Sequence, residues 1–149
     1  MAGLHAAQRA GLGAAAVLAA LALESPVAGN QPQPGAAQTG VHGTWINPKR
    51  TVTVVTSPCG KLLCGAIVSA TAEVQQIASK AGAPPLIGTR LLRDYRQTGK
   101  DRWQGTVFVP DRNESYYSTI KQIDADHLKI SGCILGGLLC KSQIWQRTS

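Results

Sequence analysis

Short segments that alternate apolar and polar residues recur from Val41 to Arg147, with turn residues between almost all of them. Alternation with a period of two places one apolar face along an extended strand. Thr51–Thr56 (TVTVVT) is β-branched throughout, which suits extended backbone, and Ser57-Pro58 is expected to close it. Further strands are predicted over Val41–Ile46, ended by Asn47-Pro48, then Leu62–Ser69, Thr89–Tyr95, Trp103–Val109, Tyr116–Ile123, Leu128–Cys133 and Leu139–Arg147. One segment differs: Ala72–Ala81 holds helix formers, with Val74 and Ile77 three apart, so one short helix is predicted before the stop at Gly82–Pro85. Eight strands and one helix make an all-β domain, an antiparallel meander closed as a barrel or stacked as a sandwich. A barrel removes the edge strands that invite aggregation. With eight strands its interior holds packed side chains or one small ligand.

The start of the chain reads differently. Met1–Arg9 is basic, Ala10–Leu23 is an unbroken run of Ala, Leu, Gly and Val, and small residues follow at Val27, Ala28 and Gly29. This order is that of a secretory signal peptide, assigned to residues 1–29, with cleavage expected before Asn30 or before Leu23. The alternative is an uncleaved N-terminal anchor, which the run of 14 residues is short for. No cysteine stands at either cut, which argues against a lipid-anchored lipoprotein. Residues 30–40 (NQPQPGAAQTG) read as a disordered linker, and residues 41–149 as the folded domain. The expected location is outside the cytoplasm, secreted or, in a bacterium, periplasmic.

Export meets the cysteines with an oxidising compartment. They fall in two local pairs, Cys59/Cys64 and Cys133/Cys140, each flanking a glycine-containing turn. Four cysteines allow three connectivities. Two local bridges, Cys59–Cys64 and Cys133–Cys140, are favoured because each would staple one hairpin. A long-range bridge would close a larger loop and constrain the unfolded chain more. A four-thiolate zinc site is the third reading, disfavoured by gaps of four and six residues between paired cysteines.

An ordered set of short motifs carries a resemblance. Gly43-Thr44-Trp45 is followed by Cys59-Gly60, Leu63-Cys64-Gly65, Trp103-Gln104-Gly105, Pro110 with Tyr116, Gly132-Cys133, Leu139-Cys140, Ser142-Gln143 and Trp145-Gln146-Arg147. The set resembles the small exported bacterial proteins grouped as domain-of-unknown-function family 2147. The resemblance implies a lipocalin-like β-barrel in the bacterial envelope, with no established activity and a small apolar ligand. Two features depart from the family pattern. An acidic stretch containing Asn-Pro is replaced here by AEVQQIASKAGAPPLIG, and Asn113 stands where glycine is usual after Pro110. Asn accepts left-handed backbone better than other non-glycine residues, so that turn is expected to survive. Gly43-Thr44-Trp45 also resembles the G-x-W that begins lipocalin barrels, and Arg147 the late arginine that packs on its tryptophan. The pair Trp45 and Arg147 is the expected lid of one barrel end.

No catalytic residues are assigned, and no enzyme activity, metal or cofactor is expected. The chain contains no G-x-S-x-G, no H-E-x-x-H and no phosphate-binding loop. Asp124, Asp126 and His127 could meet a surface metal, but a solvated turn explains them with fewer demands. The formal charge is +7 and the pI about 9.6, which suits anionic partners; export makes nucleic acid an unexpected one. The bases concentrate in Arg90, Arg93, Arg96, Lys100 and Arg102, on both faces of the predicted strand. That strand is therefore expected to end near Asp94, leaving its bases on the barrel rim. Two functions fit. One is an envelope barrel binding a small apolar or amphipathic ligand, with Val52, Val54, Ile67, Val107 and Ile130 as lining candidates from alternation. The other is a structural or interaction protein, its barrel filled, touching an anionic envelope component through the basic surface.

Overall fold

A computed structural model describes residues 40–148. The predicted leader and the linker up to residue 39 lie outside these described residues. Eight strands follow in order: β1 (Gly43–Ile46), β2 (Val52–Cys59), β3 (Leu62–Ala70), β4 (Arg90–Gly99), β5 (Arg102–Val109), β6 (Glu114–Gln122), β7 (His127–Ile134) and β8 (Leu139–Thr148). Helix α1 (Ala72–Lys80) lies between β3 and β4, and a 3-10 turn (Leu135–Gly137) joins β7 to β8. Each strand pairs antiparallel with the next, and β1 pairs with β8, Trp45 opposite Arg147. The sheet is a closed barrel, not a sandwich.

A closed meander sorts its connections between two ends. The β2–β3, β4–β5 and β6–β7 turns lie at the end where β1 begins, called here the lid end. The β1–β2 turn, the segment carrying α1, the β5–β6 turn and the β7–β8 turn lie at the far end. Local chemistry builds each connection. Asn47 Oδ1 accepts from the N–H groups of Thr51 and Val52 at 2.8 and 3.1 Å, folding the β1–β2 turn. Thr71 caps α1 through Oγ1, and Glu73 and Lys80 stand at the helix ends that suit their charges. Asn113 takes φ 51° in the β5–β6 turn, as expected of an Asn in place of Gly.

Two strands run well past their expected ends, the others stopping within a residue or so of them. β2 continues through Ser57-Pro58 to Cys59, with Pro58 opposite Leu63 near the hairpin tip, where the loss of one ladder donor is tolerated. β4 does not stop at Asp94 but reaches Gly99. Asp94 sits at φ 54° where the register with β5 slips between Arg93 and Arg96. The slip is a β-bulge, and a bulge shifts the side-chain alternation by one residue. Leu92 and Tyr95 are therefore both buried, three apart, although regular alternation puts them on opposite faces.

The core runs through the barrel. Trp45, Val54, Ile67, Leu92, Tyr95, Ile120 and Leu128 are its largest fully buried side chains. Each aliphatic member contributes about 1.5–3 kcal/mol by leaving water. Phe108 is buried elsewhere: it has the opposite parity to Trp103 and Val107, and Arg93 lies over its ring at 4.6 Å.

Candidate functional site: the barrel interior and its two ends

The lid end is sealed. Trp45 is 1% exposed, and its indole N–H donates to the Val41 carbonyl at 3.1 Å and to Thr56 Oγ1 at 3.0 Å. The Arg147 guanidinium lies 4.1 Å from the Trp45 ring centroid. It also donates to three carbonyls: Ala125 at 2.7 Å, His42 at 2.9 Å and Gly40 at 2.6 Å. One cation thus joins the β6–β7 turn, the entry to β1 and β8 across the end of the barrel.

Close packing continues into the middle. A Cβ at Gly65 would come within 2.8 Å of both Leu92 and Val54, so that strand position must be bare. Gly105 is tighter, its notional Cβ 2.7 Å from the Arg93 carbonyl oxygen and 2.8 Å from Tyr95. The Tyr95 ring therefore lies across Gly105 toward Ser118, the β6 residue opposite Gly105. The Tyr95 and Ser118 hydroxyls face each other. Both oxygens are fully buried, and neither makes a hydrogen bond of ordinary geometry. Burial pushes the pKa of the Tyr95 phenol above its ordinary value, the Ser118 hydroxyl offsetting a smaller part.

Past Ser118 the inward-facing residues become more exposed. Across the sheet, Gly105, Ser118, Gly132 and Lys141 stand opposite one another in one inward row. Ser118 is buried, Gly132 is half-buried and Lys141 is exposed. The neighbouring row of Leu92, Val107 and Tyr116 goes from buried to half-buried. A Cβ at Gly132 would have one neighbour within reach, Val107 at 3.4 Å, so the glycine leaves room beside it. Beyond buried Tyr95 and Ser118, the half-buried Val107, Tyr116 and Gly132 and the exposed Lys141 thus stand together at the far end, a group called here the cup. The Tyr116 hydroxyl donates to the Glu114 carboxylate at the same end, an interaction that raises the Tyr116 pKa.

Two recesses lie outside the barrel wall. One, of about 290 Å³, is bounded by Ile46, Pro48, Arg50, His127, Ile144 and Gln146. The other, of about 350 Å³, lies between α1 and the loop after it, with Gln75, Ser79, Pro84 and Leu86 among its walls.

Of the residues singled out from alternation, Val52, Val54, Ile67 and Ile130 are buried in the core, and Val107 stands half-buried in the cup. The five bases do not form one patch. Arg90 begins β4 at the far end, Lys100 and Arg102 flank the turn at the lid end, and Arg93 is drawn onto Phe108 and Ser115. Arg96 is exposed between them. The cysteines are joined as the two local bridges, Cys59–Cys64 and Cys133–Cys140. Their sulfurs are thus bonded to each other, so neither the four-thiolate zinc reading nor the cluster of Cys59, Cys64 and Asp94 offers a free thiolate. Asp124 serves its own turn, accepting from the Asp126 N–H at 2.8 Å and meeting His127 Nδ1 at 2.8 Å. These partners, the backbone N–H first, hold its carboxyl below the ordinary range.

Alternation alone missed Tyr95 and Ser118, because the bulge at Asp94 moves one and the other is a plain polar residue. The signal available was the pair of strand-interior glycines, Gly105 and Gly132, since a glycine there marks close approach or open space.

Comparison with known proteins agrees with this architecture. The family model described as "Uncharacterized protein conserved in bacteria (DUF2147)" matches residues 43–147. No curated protein matches the chain. Among solved structures, a Helicobacter pylori protein described as belonging to the lipocalin family superposes with a TM-score of 0.55 at 16% identity. The match covers 75% of this chain and 83% of that one. The sheet closed in sequence order, the tryptophan–arginine lid and the matched span place this chain in the DUF2147 family of uncharacterised bacterial proteins, on a lipocalin-like barrel.

Proposed function

We propose that this protein is an exported, non-enzymatic carrier that holds a small amphipathic molecule in the cup at the far end of its barrel. The carrying observation is the inward row Gly105–Ser118–Gly132–Lys141, which passes from packed to open and ends on a cation. An apolar body would lie against Val107, Tyr116 and the bare Gly132, and an acidic head would meet Lys141. The floor at Tyr95 and Ser118 limits depth, so the ligand is short or leaves its tail outside. Two disulfides, and no helix among the described residues long and apolar enough to cross a membrane, are compatible with export.

The test is titration with a fluorescent fatty acid. Wild type is expected to bind it saturably, and Gly132→Leu, which fills the cup, to weaken binding by about tenfold or more. Lys141→Glu should weaken the fatty acid while leaving the matching fatty alcohol unchanged. Melting curves check that both variants fold. Absence of saturable binding by wild type, or full binding by a folded Gly132→Leu protein, would overturn the proposal.

A further inference from the structure

The β7–β8 hairpin ends in CILGGLLC, and its apolar side chains stand in solvent. Leu138 is 88% exposed, Leu135 71%, Leu139 60% and Ile134 43%. Burial in the barrel cannot account for them. The Cys133–Cys140 bridge pins the hairpin directly behind them, the two residues lying opposite each other. Leu135, Gly136 and Gly137 all take positive φ, so the tip is a tight turn. Ile77 and Ile87, 45% and 52% exposed, lie at the same far end, in the segment between β3 and β4.

Bases outnumber acids at that end. Lys49, Arg50, Lys80, Arg90, Arg112 and Lys141 are all exposed there, against the acids Glu73, Asp111 and Glu114. The lid end is basic too: Lys61, Lys100, Arg102, Lys121 and Lys129 stand toward it against Asp101, Asp124 and Asp126, with Arg147 turned onto Trp45. The far end is therefore marked by its aliphatic tip, four exposed apolar residues of one hairpin set among excess cations.

We infer that the far end docks on an anionic lipid bilayer, with the stapled β7–β8 tip inserted among acyl chains and the surrounding bases on the headgroups. Insertion by aliphatic side chains plus attraction to acidic headgroups is the physical basis of interfacial binding. A lipid surface also suits the tip's form. Acyl chains need no matching contour, whereas a protein partner would need a pocket shaped for a narrow leucine finger. The cup opens at this same end, so docking would bring its mouth to the bilayer. The inference stands apart from ligand binding, which is read without vesicles.

Co-sedimentation tests it. Protein purified from the exported fraction is mixed with vesicles of phosphatidylglycerol in phosphatidylcholine, and with vesicles of phosphatidylcholine alone. Wild type is expected to bind the anionic vesicles, more weakly as salt rises, and the neutral ones at least about tenfold less. The double variant Leu135→Asp/Leu138→Asp should lose about tenfold or more of the anionic binding with an unchanged melting temperature. Leu138→Ser, a milder change at the most exposed position, should lose part of it. Wild type that ignores anionic vesicles overturns the inference. So does a folded double variant that binds as wild type does, which would mean surface adsorption by charge alone. Capture of an envelope protein through the same leucines, without vesicle binding, would overturn it in favour of a protein partner.

Discussion

Arg147 shows how much of the lid rests on a single side chain. Its planar cation lies on the Trp45 indole while its N–H groups reach three backbone carbonyls. The stacking is worth about 0.5–2 kcal/mol, and hydrogen bonds from a charged donor add to it, less the screening that a half-buried group suffers. Arg147→Ala is expected to destabilise the barrel by about 1–3 kcal/mol, a melting shift of roughly 10 °C, with the circular dichroism spectrum of the folded protein unchanged. Arg147→Lys should recover only part, because an ammonium cannot present the same planar fork. An unaltered melting temperature for the alanine variant would show that the lid holds nothing. The tryptophan–arginine pairing was legible as a motif. The carbonyl partners were not, because they belong to the chain's path through Gly40, His42 and Ala125 and not to any side-chain pattern.

Among the elements, β4 and its neighbours separate what alternation can and cannot reveal. Strand count, order and the single helix were legible, because turn residues and β-branched runs mark them independently of tertiary contacts. The interior face was legible in β2, where Val52, Val54 and Thr56 are all buried. It was lost in β4, where a left-handed Asp94 resets the parity and turns Tyr95 inward. No propensity announces that bulge. It accompanies the bare Gly105 on the adjacent strand, across which the Tyr95 ring lies. The two inward glycines of β5 and β7 should accordingly respond in opposite ways. Gly105→Ala drives a methyl against the Arg93 backbone carbonyl and the Tyr95 ring, and is expected to cost about 1–3 kcal/mol or more. Gly132→Ala meets Val107 alone at ordinary contact distance and should change stability by less than about 0.5 kcal/mol. Urea unfolding of the two variants checks the contrast. Equal losses would mean that the interior is no more open at Gly132 than at Gly105.

At the level of the whole molecule, closure into a barrel was favoured over a sandwich by the need to hide edges and implied by the family resemblance, but how far the interior is filled was legible in neither. Filling depends on where large side chains meet bare positions several strands apart, which no one-dimensional pattern records. One consequence of that filling acts on the whole fold. Tyr95 is fully buried with no hydrogen-bond partner of ordinary geometry for its hydroxyl. Ionising it in place would put a phenolate in an apolar barrel, so the folded protein holds the proton above the ordinary value near 10. The unfolded chain releases it at that ordinary value. Below about pH 10 both states are protonated and the group leaves stability unchanged with pH. Above it the unfolded chain carries fewer protons than the native one, so stability falls as pH rises, by up to about 1.4 kcal/mol per pH unit for this group. Tyr95→Phe removes the group. It should cost little at neutral pH, since the lost hydroxyl had no good partner, and its unfolding free energy should decline less steeply in alkali. Tyr116 and Tyr117 are common to both proteins, as are the lysines, so the difference between the two urea midpoints isolates Tyr95. A difference that grows above about pH 10 is the expected result. A difference that stays constant would mean that Tyr95 ionises as easily inside the barrel as outside it, and that its surroundings are wetter than the packing around Gly105 allows.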